Sequence, residues 1–153
     1  MTAGIGVLLA LTCATWFNNA LQWYTQFTTY GLFSAIADQT GDEGFVRYHK
    51  AYQKRLPATI YVPFGILMVL SVTALFVRPD ELGVGGAVLL LVLNAAIGAI
   101  SGALAAPVHM RVDRQGRLEA SDAAALLRWN ACRLAVATAS SIAVTYFLVQ
   151  AID

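Results

Sequence analysis

The sequence has few charged side chains, which make up only 12% of its residues. Soluble domains carry about 25%, so this composition excludes an ordinary soluble protein. Hydrophobic residues account for 58% of the 153 positions, which predicts a single membrane domain with no room for a second one. No motif that reads a nucleic-acid groove is present, and we expect no nucleic-acid partner.

The common cofactor motifs are absent as well. The glycine patterns of Rossmann and P-loop sites do not occur, which argues against a nucleotide cofactor. No HxxxH or ExxH spacing brings metal ligands together locally, as many metal sites require. We therefore predict no cofactor and no metal site. A metal ion or a haem held by His49 and His109 is the alternative.

Cysteine is also scarce. Cys13 and Cys132 are the only two, and we expect them near opposite sides of the membrane. A disulfide needs Cα atoms about 4.4–6.8 Å apart, so both residues are predicted to be unpaired and to act as small apolar fillers.

The sequence does contain four long apolar segments, at about 5–37, 58–77, 82–106 and 125–151. Each meets the roughly 20 residues that a helix needs to cross about 30 Å of hydrocarbon. We predict an all-α integral membrane four-helix bundle, with residues 1–153 forming one transmembrane domain. The first segment lacks a basic start and a small-residue cleavage site, so it is not expected to be a cleaved signal peptide.

The basic residues are distributed unevenly between these segments. Four lie between the first and second, five lie between the third and fourth or in the first turns of the fourth, and only Arg78 lies between the second and third. Lys and Arg stay on the cytoplasmic side during insertion. This distribution predicts a multi-pass plasma-membrane protein with both basic loops in the cytoplasm, against anionic lipid, and both termini outside.

A short amphipathic helix is predicted over residues 42–55, between the first two spans. One face carries three aromatic side chains and a histidine, and the opposite face is basic. The two faces consist of Phe45, Tyr48, His49 and Tyr52, and of Arg47, Lys50 and Lys54. This pattern favours a helix that lies on the cytoplasmic membrane surface.

Polar residues form a continuous stripe along the first span. They follow one another at intervals of three or four residues, which places them on one helix face. They are Thr15, Asn19, Gln22, Gln26 and Thr29. Because lipid does not solvate polar groups, the stripe must face other helices or a water-filled cavity. Simple hydrogen bonding between helices is the alternative to a functional role.

The third span is rich in small residues. Gly98 and Gly102 form a GxxxG pattern, which lets two helices approach closely. We expect this face to be a contact surface, either for a homo-oligomer or for a larger membrane complex.

Three short patterns converge on the predicted cytoplasmic side. They are Tyr-His-x-x-Tyr at 48–52, Pro-x-His-x-Arg at 107–111 and Trp-Asn-x-x-Arg at 129–133. They predict a site in which histidine moves a proton, arginine holds an anionic oxygen and amides fix a carbonyl. The candidate catalytic residues are His49, His109 and Arg133, and the candidate substrate-binding residues are Asn130, Gln22, Gln26, Asn19, Tyr52 and Trp129.

The three charged or titratable candidates also have structural alternatives. Arg133 could extend to the lipid headgroups or neutralise Asp113 or Asp122. His49 could anchor the surface helix, and His109 could bond the last carbonyls of a helix.

These patterns resemble a known family. The segments concerned are Tyr-Gly-Leu-Phe at 30–33, Phe-Val-Arg-Tyr-His at 45–49 leading to Tyr52, Ala-Pro-Val-His at 106–109 and Trp-Asn-Ala-Cys-Arg at 129–133. Together they are similar to an uncharacterised bacterial family of small four-helix integral membrane proteins, which implies a bacterial inner-membrane location. The Trp-Asn-x-x-Arg segment is also similar, more weakly, to the anthrone oxygenase-like membrane proteins. That similarity implies cofactor-independent oxidation of aromatic polyketides.

The predicted function is a membrane-embedded enzyme that acts from the cytoplasmic side on a small lipophilic substrate, such as an aromatic, polyketide or isoprenoid-like molecule. An oxygenase, a cyclase or an isomerase fits this prediction. The alternatives are an accessory subunit of a larger membrane complex and an element of a small oligomeric transporter. A cavity among His49, His109, Asn130 and Arg133 favours the enzyme, whereas a centre filled by side chains favours the subunit.

Overall fold

The computed structural model describes residues 2–153, and all regular secondary structure in that range is helical. Four helices are long and apolar enough to cross a membrane, namely Ala3–Thr29, Phe33–Thr73, Asp80–Gln115 and Ala120–Ile152. These findings confirm the prediction of an all-α protein with four candidate membrane spans.

Three of the four long helices contain a five-residue π-helical turn. The first long helix consists of α1 (Ala3–Tyr24) and the turn Thr25–Thr29. The second consists of α2 (Phe33–Leu56), the turn Pro57–Tyr61 and α3 (Val62–Thr73). The third includes α4 (Gly83–Ile100), the turn Ser101–Ala105 and α5 (Ala106–Gln115). The fourth is a single regular helix, α6 (Ala120–Ile152).

Prolines explain two of these π-helical turns. Pro63 and Pro107 each lie two residues after such a turn, which ends at Tyr61 or Ala105. A proline inside a helix has no N–H to donate, and its ring crowds the carbonyl four residues earlier. A wider preceding turn relieves this crowding, so both helices continue through the proline instead of ending there.

All four helices differ from the predicted spans at one end or both, and the second ends at Thr73 rather than at residue 77. The first span ends at Thr29 rather than at residue 37, because the chain turns at residues 30–32 and buries Phe33 completely. The third continues past the predicted end at residue 106 as far as Gln115. The fourth begins at Ala120 rather than at residue 125.

The amphipathic segment predicted over residues 42–55 forms the second half of α2. Gly41 interrupts the helix just before it, with φ 69° and ψ 178°, a conformation that glycine adopts without steric cost. The helix then continues from Leu56 directly into the π-helical turn and α3. Because Phe45 and His49 are fully buried, its apolar face packs against protein.

Two apolar clusters occupy the two ends of the bundle. One cluster joins α1, α3, α4 and α6 around Leu8, Leu67 and Leu90. The other joins α2, α5 and the start of α6 around Phe33. Many of the buried polar side chains lie at levels between the two clusters, including Thr15, Asn18, Asn19, Gln22, Asn94, Asn130, Arg133 and Ser140. Ser71 lies at the level of the first cluster, between Leu67 and Ala74 along the chain. The predicted polar stripe of the first span therefore does face other helices.

The two cysteines are unpaired. Cys13 and Cys132 are both exposed, so the prediction that they fill space inside the bundle is wrong. The faces of α1 and α6 that carry them point away from the other helices.

We predict that Gly4→Ala destabilises the protein. A Cβ at Gly4 would lie 2.5 Å from the carbonyl carbon of Arg78 and 2.7 Å from the nitrogen of Pro79, and backbone atoms cannot move aside as a side chain can. Gly65→Ala is the matched control, because this helical glycine has nothing within 4 Å and alanine favours a helix by about 1 kcal/mol. Heating in detergent followed by size-exclusion chromatography should give a lower unfolding midpoint for Gly4→Ala only. Equal midpoints for Gly4→Ala and the wild type would contradict this close approach.

Candidate functional site

Four side chains form a continuous series of hydrogen bonds near one end of the bundle. The hydroxyl of Tyr30 is 2.9 Å from Nε2 of His109. The Nδ1 atom of His109 is 2.8 Å from Nε2 of His49. The Nδ1 atom of His49 is 2.9 Å from a carboxylate oxygen of Asp113. We call this series the Tyr–His–His–Asp relay.

The relay depends on how three helices are placed. His49 comes from α2, and Tyr30 comes from the turn that follows the π-helical end of the first span. His109 and Asp113 lie four residues apart on α5, so they share one face of that helix. They share it because the helix continues beyond Pro107.

Aromatic rings enclose the centre of the relay. The fully buried ring of His49 stacks on Phe45, with centroids 5.8 Å apart. The ring of His109 lies edge to edge with it, with centroids 5.1 Å apart and an angle of 21° between the ring planes, as their N···N hydrogen bond requires. Phe33 meets the His49 ring edge to face at 5.9 Å. These contacts fix the plane of the His49 imidazole.

The hydrogen bonds of the relay can all point the same way. The side chain of Asp113 is 30% exposed and, as a carboxylate, can only accept. Nδ1–H of His49 then donates to Asp113, which leaves its Nε2 to accept from Nδ1–H of His109. Nε2 of His109 in turn accepts from the hydroxyl of Tyr30. Moving every proton one step toward Asp113 satisfies the same bonds in reverse, so the relay can carry a proton between Tyr30 and the exposed carboxylate.

Arg133 is the second element of the site. It is only 8% exposed, and its guanidinium donates to neutral oxygens: Nη1 to Oγ of Ser101 at 3.1 Å and Nη2 to Oδ1 of Asn130 at 2.6 Å. Its Nε has no hydrogen-bond partner within residues 2–153. Arg133 is thus a buried cation held by neutral groups.

The two structural alternatives for Arg133 do not match its surroundings. A side chain that reaches the headgroups would be exposed, whereas this one is buried. The two carboxylates considered as its partners are engaged elsewhere, Asp113 with His49 and Asp122 with Arg111 at 2.7 Å.

Asn130 sets the position of the guanidinium. It is fully buried, and its Nδ2 donates to the backbone carbonyl of Gln22 at 3.0 Å and to Oε1 of Gln26 at 2.9 Å. Its Oδ1 is therefore left to accept from Arg133. Through this amide, α6 is fixed to the polar stripe of the first span.

Two adjoining cavities bring Arg133 and the relay together. The smaller, of about 80 Å³, has Tyr30, His109 and Arg133 in its wall. The larger, of about 330 Å³, lies between α1, α3 and α4 and also reaches Arg133. Both are lined by Gln22, Ile60, Tyr61, Ser101, Ala106 and Arg133. We treat them as one site.

All three π-helical turns border this site. Thr25, Ile60 and Ser101 each come from a different one of these turns, and all three line the smaller cavity. A π-helical turn accommodates one residue more than an α-helical turn and frequently occurs at functional sites. The cavity therefore lies where three of the four long helices depart from regular geometry.

Most of the predicted site residues meet here. His109, Arg133, Gln22 and Tyr52 line the smaller cavity. His49 lies behind His109 in the relay. Asn130 lies behind Arg133 and accepts from its guanidinium, and Gln26, in the first π-helical turn, accepts in turn from Asn130.

Four of the six predicted substrate-binding residues line neither cavity, and two of these four, Asn19 and Trp129, do not contact Arg133 or the relay through hydrogen bonds either. Asn19 is buried between α1 and α6, where its Oδ1 accepts from the hydroxyl of Thr138 at 3.3 Å. Trp129 packs beside the cluster around Phe33 and lies beneath the guanidinium of Arg128 at 4.5 Å. In these positions both residues contribute to packing.

Sequence reasoning missed three residues of the site. Asp113 follows His109 by four residues, and this spacing would have indicated the pair if Pro107 had not suggested a helix end. Tyr30 lies in a turn between two helices, so its partner depends on tertiary packing and no sequence spacing indicates it. Asn18 adjoins the polar stripe and lines the larger cavity, but it does not fit the spacing of the stripe.

The two histidines do not form a metal-binding cluster. Within residues 2–153, no group of three or more His, Cys, Asp or Glu side chains could hold a metal ion. The facing nitrogens of His49 and His109 are 2.8 Å apart, which is a hydrogen-bond distance that leaves no space for an iron atom between them.

Gly98 and Gly102 both line the larger cavity. A Cβ at Gly98 would lie 3.0 Å from the ring of Phe64, whereas Gly102 has open space around it. Part of this small-residue face is thus occupied by α3 of the same chain. A homo-oligomer contact through the two glycines stays a prediction.

A scan of protein-family models finds no match to this chain, and searches of curated proteins and of solved structures find none either. The resemblance to the small four-helix membrane family stays a prediction. The functional argument therefore depends on the geometry of the site.

The relay predicts the tautomer of both histidines. At neutral pH we expect His49 and His109 each to carry its proton on Nδ1, with Nε2 as an acceptor, because the carboxylate of Asp113 fixes the direction of donation. Nitrogen NMR of protein labelled in its histidine rings measures this directly, since the chain has only two histidines. Tyr30→Phe should shift the Nε2 signal of His109, and Tyr146→Phe, a change at the far end of α6, should not. Protonated Nε2 atoms in the wild type would contradict this direction of donation, and equal His109 signals in the Tyr30→Phe and wild-type proteins would contradict the relay.

Proposed function

We propose that the protein is an integral membrane enzyme that removes and returns a proton on a small, lipophilic, oxygen-bearing substrate. The observation that carries the proposal is that the Tyr–His–His–Asp relay and the buried Arg133 meet at one cavity. A proton carrier and a fixed positive charge are the two components that carbanion or enolate chemistry requires.

The relay supplies the base. When a substrate C–H bond breaks, the oxygen of Tyr30 takes that proton while its own proton passes to Nε2 of His109. The Nδ1 proton of His109 passes to His49, and the Nδ1 proton of His49 passes to Asp113, which exchanges with water. The electron pair of the broken bond stays on the substrate. Reversal of the same steps returns a proton to the substrate, at the same carbon or at another.

Arg133 stabilises the charge that develops on the substrate. An electron pair delocalised onto a carbonyl oxygen gives an oxyanion, and a guanidinium held by Asn130 and Ser101 is already oriented to receive it. Preorganised charge of this kind acts most strongly where water is excluded. The apolar wall provided by Ile60 and Phe64 supplies that environment.

The location of the reaction follows from the charge distribution. We place the four long helices across a membrane as a bundle, with both basic loops in the cytoplasm according to the positive-inside rule. The second half of α2, with its outward basic face, lies at that cytoplasmic surface. Asp113 then exchanges protons with the cytoplasm, and the substrate enters from the bilayer.

The similarity of the Trp-Asn-x-x-Arg segment to the anthrone oxygenase-like proteins supports an aromatic or polyketide substrate. Of the polar members of that segment, Arg133 receives the oxyanion in this proposal, and Asn130 orients its guanidinium. Proton removal from an activated C–H group is also the first step by which a cofactor-independent oxidation of such a substrate would begin.

Hydrogen–deuterium exchange tests the proposal without knowledge of the product. The protein in lipid nanodiscs is incubated in D₂O with a lipid extract of the native host and a panel of lipophilic ketones and 1,3-diketones. We expect mass spectrometry to find at least one compound that gains deuterium at carbon much faster than without protein. Tyr30→Phe and His109→Gln should each slow this exchange about 10²–10⁴-fold, as loss of general acid–base catalysis does.

Tyr48→Phe is the matched control for Tyr30→Phe. Tyr48 is exposed, lies beside His49 in sequence and lines neither cavity of the site, so its exchange rate should equal that of the wild type. The absence of catalysed exchange with every compound, or equal rates in the Tyr30→Phe and wild-type proteins, would overturn the proposal.

A further inference from the structure

Arg133 carries a charge that no group within residues 2–153 neutralises. Its hydrogen-bond partners, Ser101 and Asn130, are neutral, and the ion pairs in that range involve other residues. The ring of Tyr30, centred 5.9 Å from Cζ of Arg133, attracts the cation but adds no opposite charge. A buried ion without a counter-ion is strongly unfavourable, so the site is electrostatically incomplete.

Two buried donors are also unsatisfied at the same place. Nε of Arg133 and Nδ2 of Asn18 have no hydrogen-bond partner within residues 2–153, and both residues line the larger cavity. Buried polar atoms are almost always paired in native proteins. Because both free positions are donors, the missing group must be an acceptor, and because one donor is cationic, an anionic acceptor fits best.

The rest of the larger cavity indicates what this acceptor is attached to. Ile60, Phe64 and Ile97 contribute apolar walls, and the volume of about 330 Å³ is at the small end of ligand cavities. Tyr61 and Gly102 line the cavity and are also exposed on the outside of the bundle. The cavity therefore opens sideways between α3 and α4, toward the region that lipid occupies if these helices cross a membrane.

We infer that the larger cavity binds a lipophilic oxygen acid in its ionised form. The anionic oxygens accept from Nε of Arg133 and Nδ2 of Asn18, and the apolar body extends between α3 and α4 toward the bilayer. A carboxylate and the anion of an acidic enol share this chemistry, because each spreads one negative charge over two oxygen atoms. The inference deepens the proposed function, on which it rests, by assigning the charge and polarity of the species that Arg133 holds, which is either a carboxylate of the substrate or the enolate that proton removal forms.

Binding in nanodiscs distinguishes this ligand class from neutral lipids. The probes are decanoate, the enolate of 2-octyl-1,3-cyclohexanedione, methyl decanoate and the decyltrimethylammonium cation, each below its micelle-forming concentration. We expect saturable binding of at least one of the two anions by calorimetry, accompanied by a higher unfolding midpoint. The methyl ester and the cation should produce neither effect, since neither brings a negative charge to Arg133.

Three substitutions test whether the anion binds at Arg133. Arg133→Gln should weaken anion binding about 30-fold or more, as loss of one partner of a buried charge pair does. Asn18→Leu removes a donor and leaves the charge, so it should weaken binding less. Arg128→Gln is the matched control, because Arg128 is an exposed arginine on the same helix and its loss should leave the Kd unchanged.

The outcomes separate this inference from the proposed function. Equal binding of decanoate and its methyl ester, no binding of either anion, or full binding by the folded Arg133→Gln and Asn18→Leu variants would overturn the inference. Anion binding at Arg133 without any catalysed deuterium exchange would support the inference and overturn the enzyme. Binding of only one anion would identify a carboxylic acid or an enol as the source of the charge.

Discussion

The hydrogen bond of 2.6 Å from Arg133 to Asn130 is the contact on which the rest of the site depends. A permanent charge inside an apolar bundle must be surrounded by fixed dipoles or expelled to water. Asn130 provides such a dipole because Gln22 and Gln26 occupy both protons of its amide. The polar stripe of the first span therefore exists in part to orient an amide on α6, and through that amide to orient a cation.

The two apolar clusters and the site have complementary roles. The cluster around Leu67 joins all four long helices at the end remote from the histidines, so the site does not have to hold the bundle together. The cluster around Phe33 instead shapes the histidine environment, since Phe33 and Phe45 contact His49 directly. Packing near the relay thus determines ring orientation, whereas packing at the other end provides stability.

Sequence patterns predicted the helical class, the four apolar segments and the inward direction of the polar stripe, because each depends on local periodicity. They also brought His49, His109, Asn130 and Arg133 to one region. They did not predict that His109 and Asp113 share one helix face. A proline in the sequence looks the same whether the helix ends before it or continues through it after a wider turn, so Pro107 did not show that the helix continues. The hydrogen bond of Tyr30 to His109 was not predicted for a different reason. A residue in a turn between two helices acquires its partner only from the tertiary fold.

The π-helical turns make the length of the chain between certain residues as important as the identity of those residues. Each such turn holds one residue beyond the regular repeat, and each residue of an α-helix advances the side-chain direction by about 100°. Loss of a single residue from Ser101–Ala105 would restore a regular helix and rotate His109 and Asp113 together away from His49. Natural variation in chain length should accordingly be confined to the connections at residues 74–82 and 116–119, and the three wide turns should have a fixed residue count.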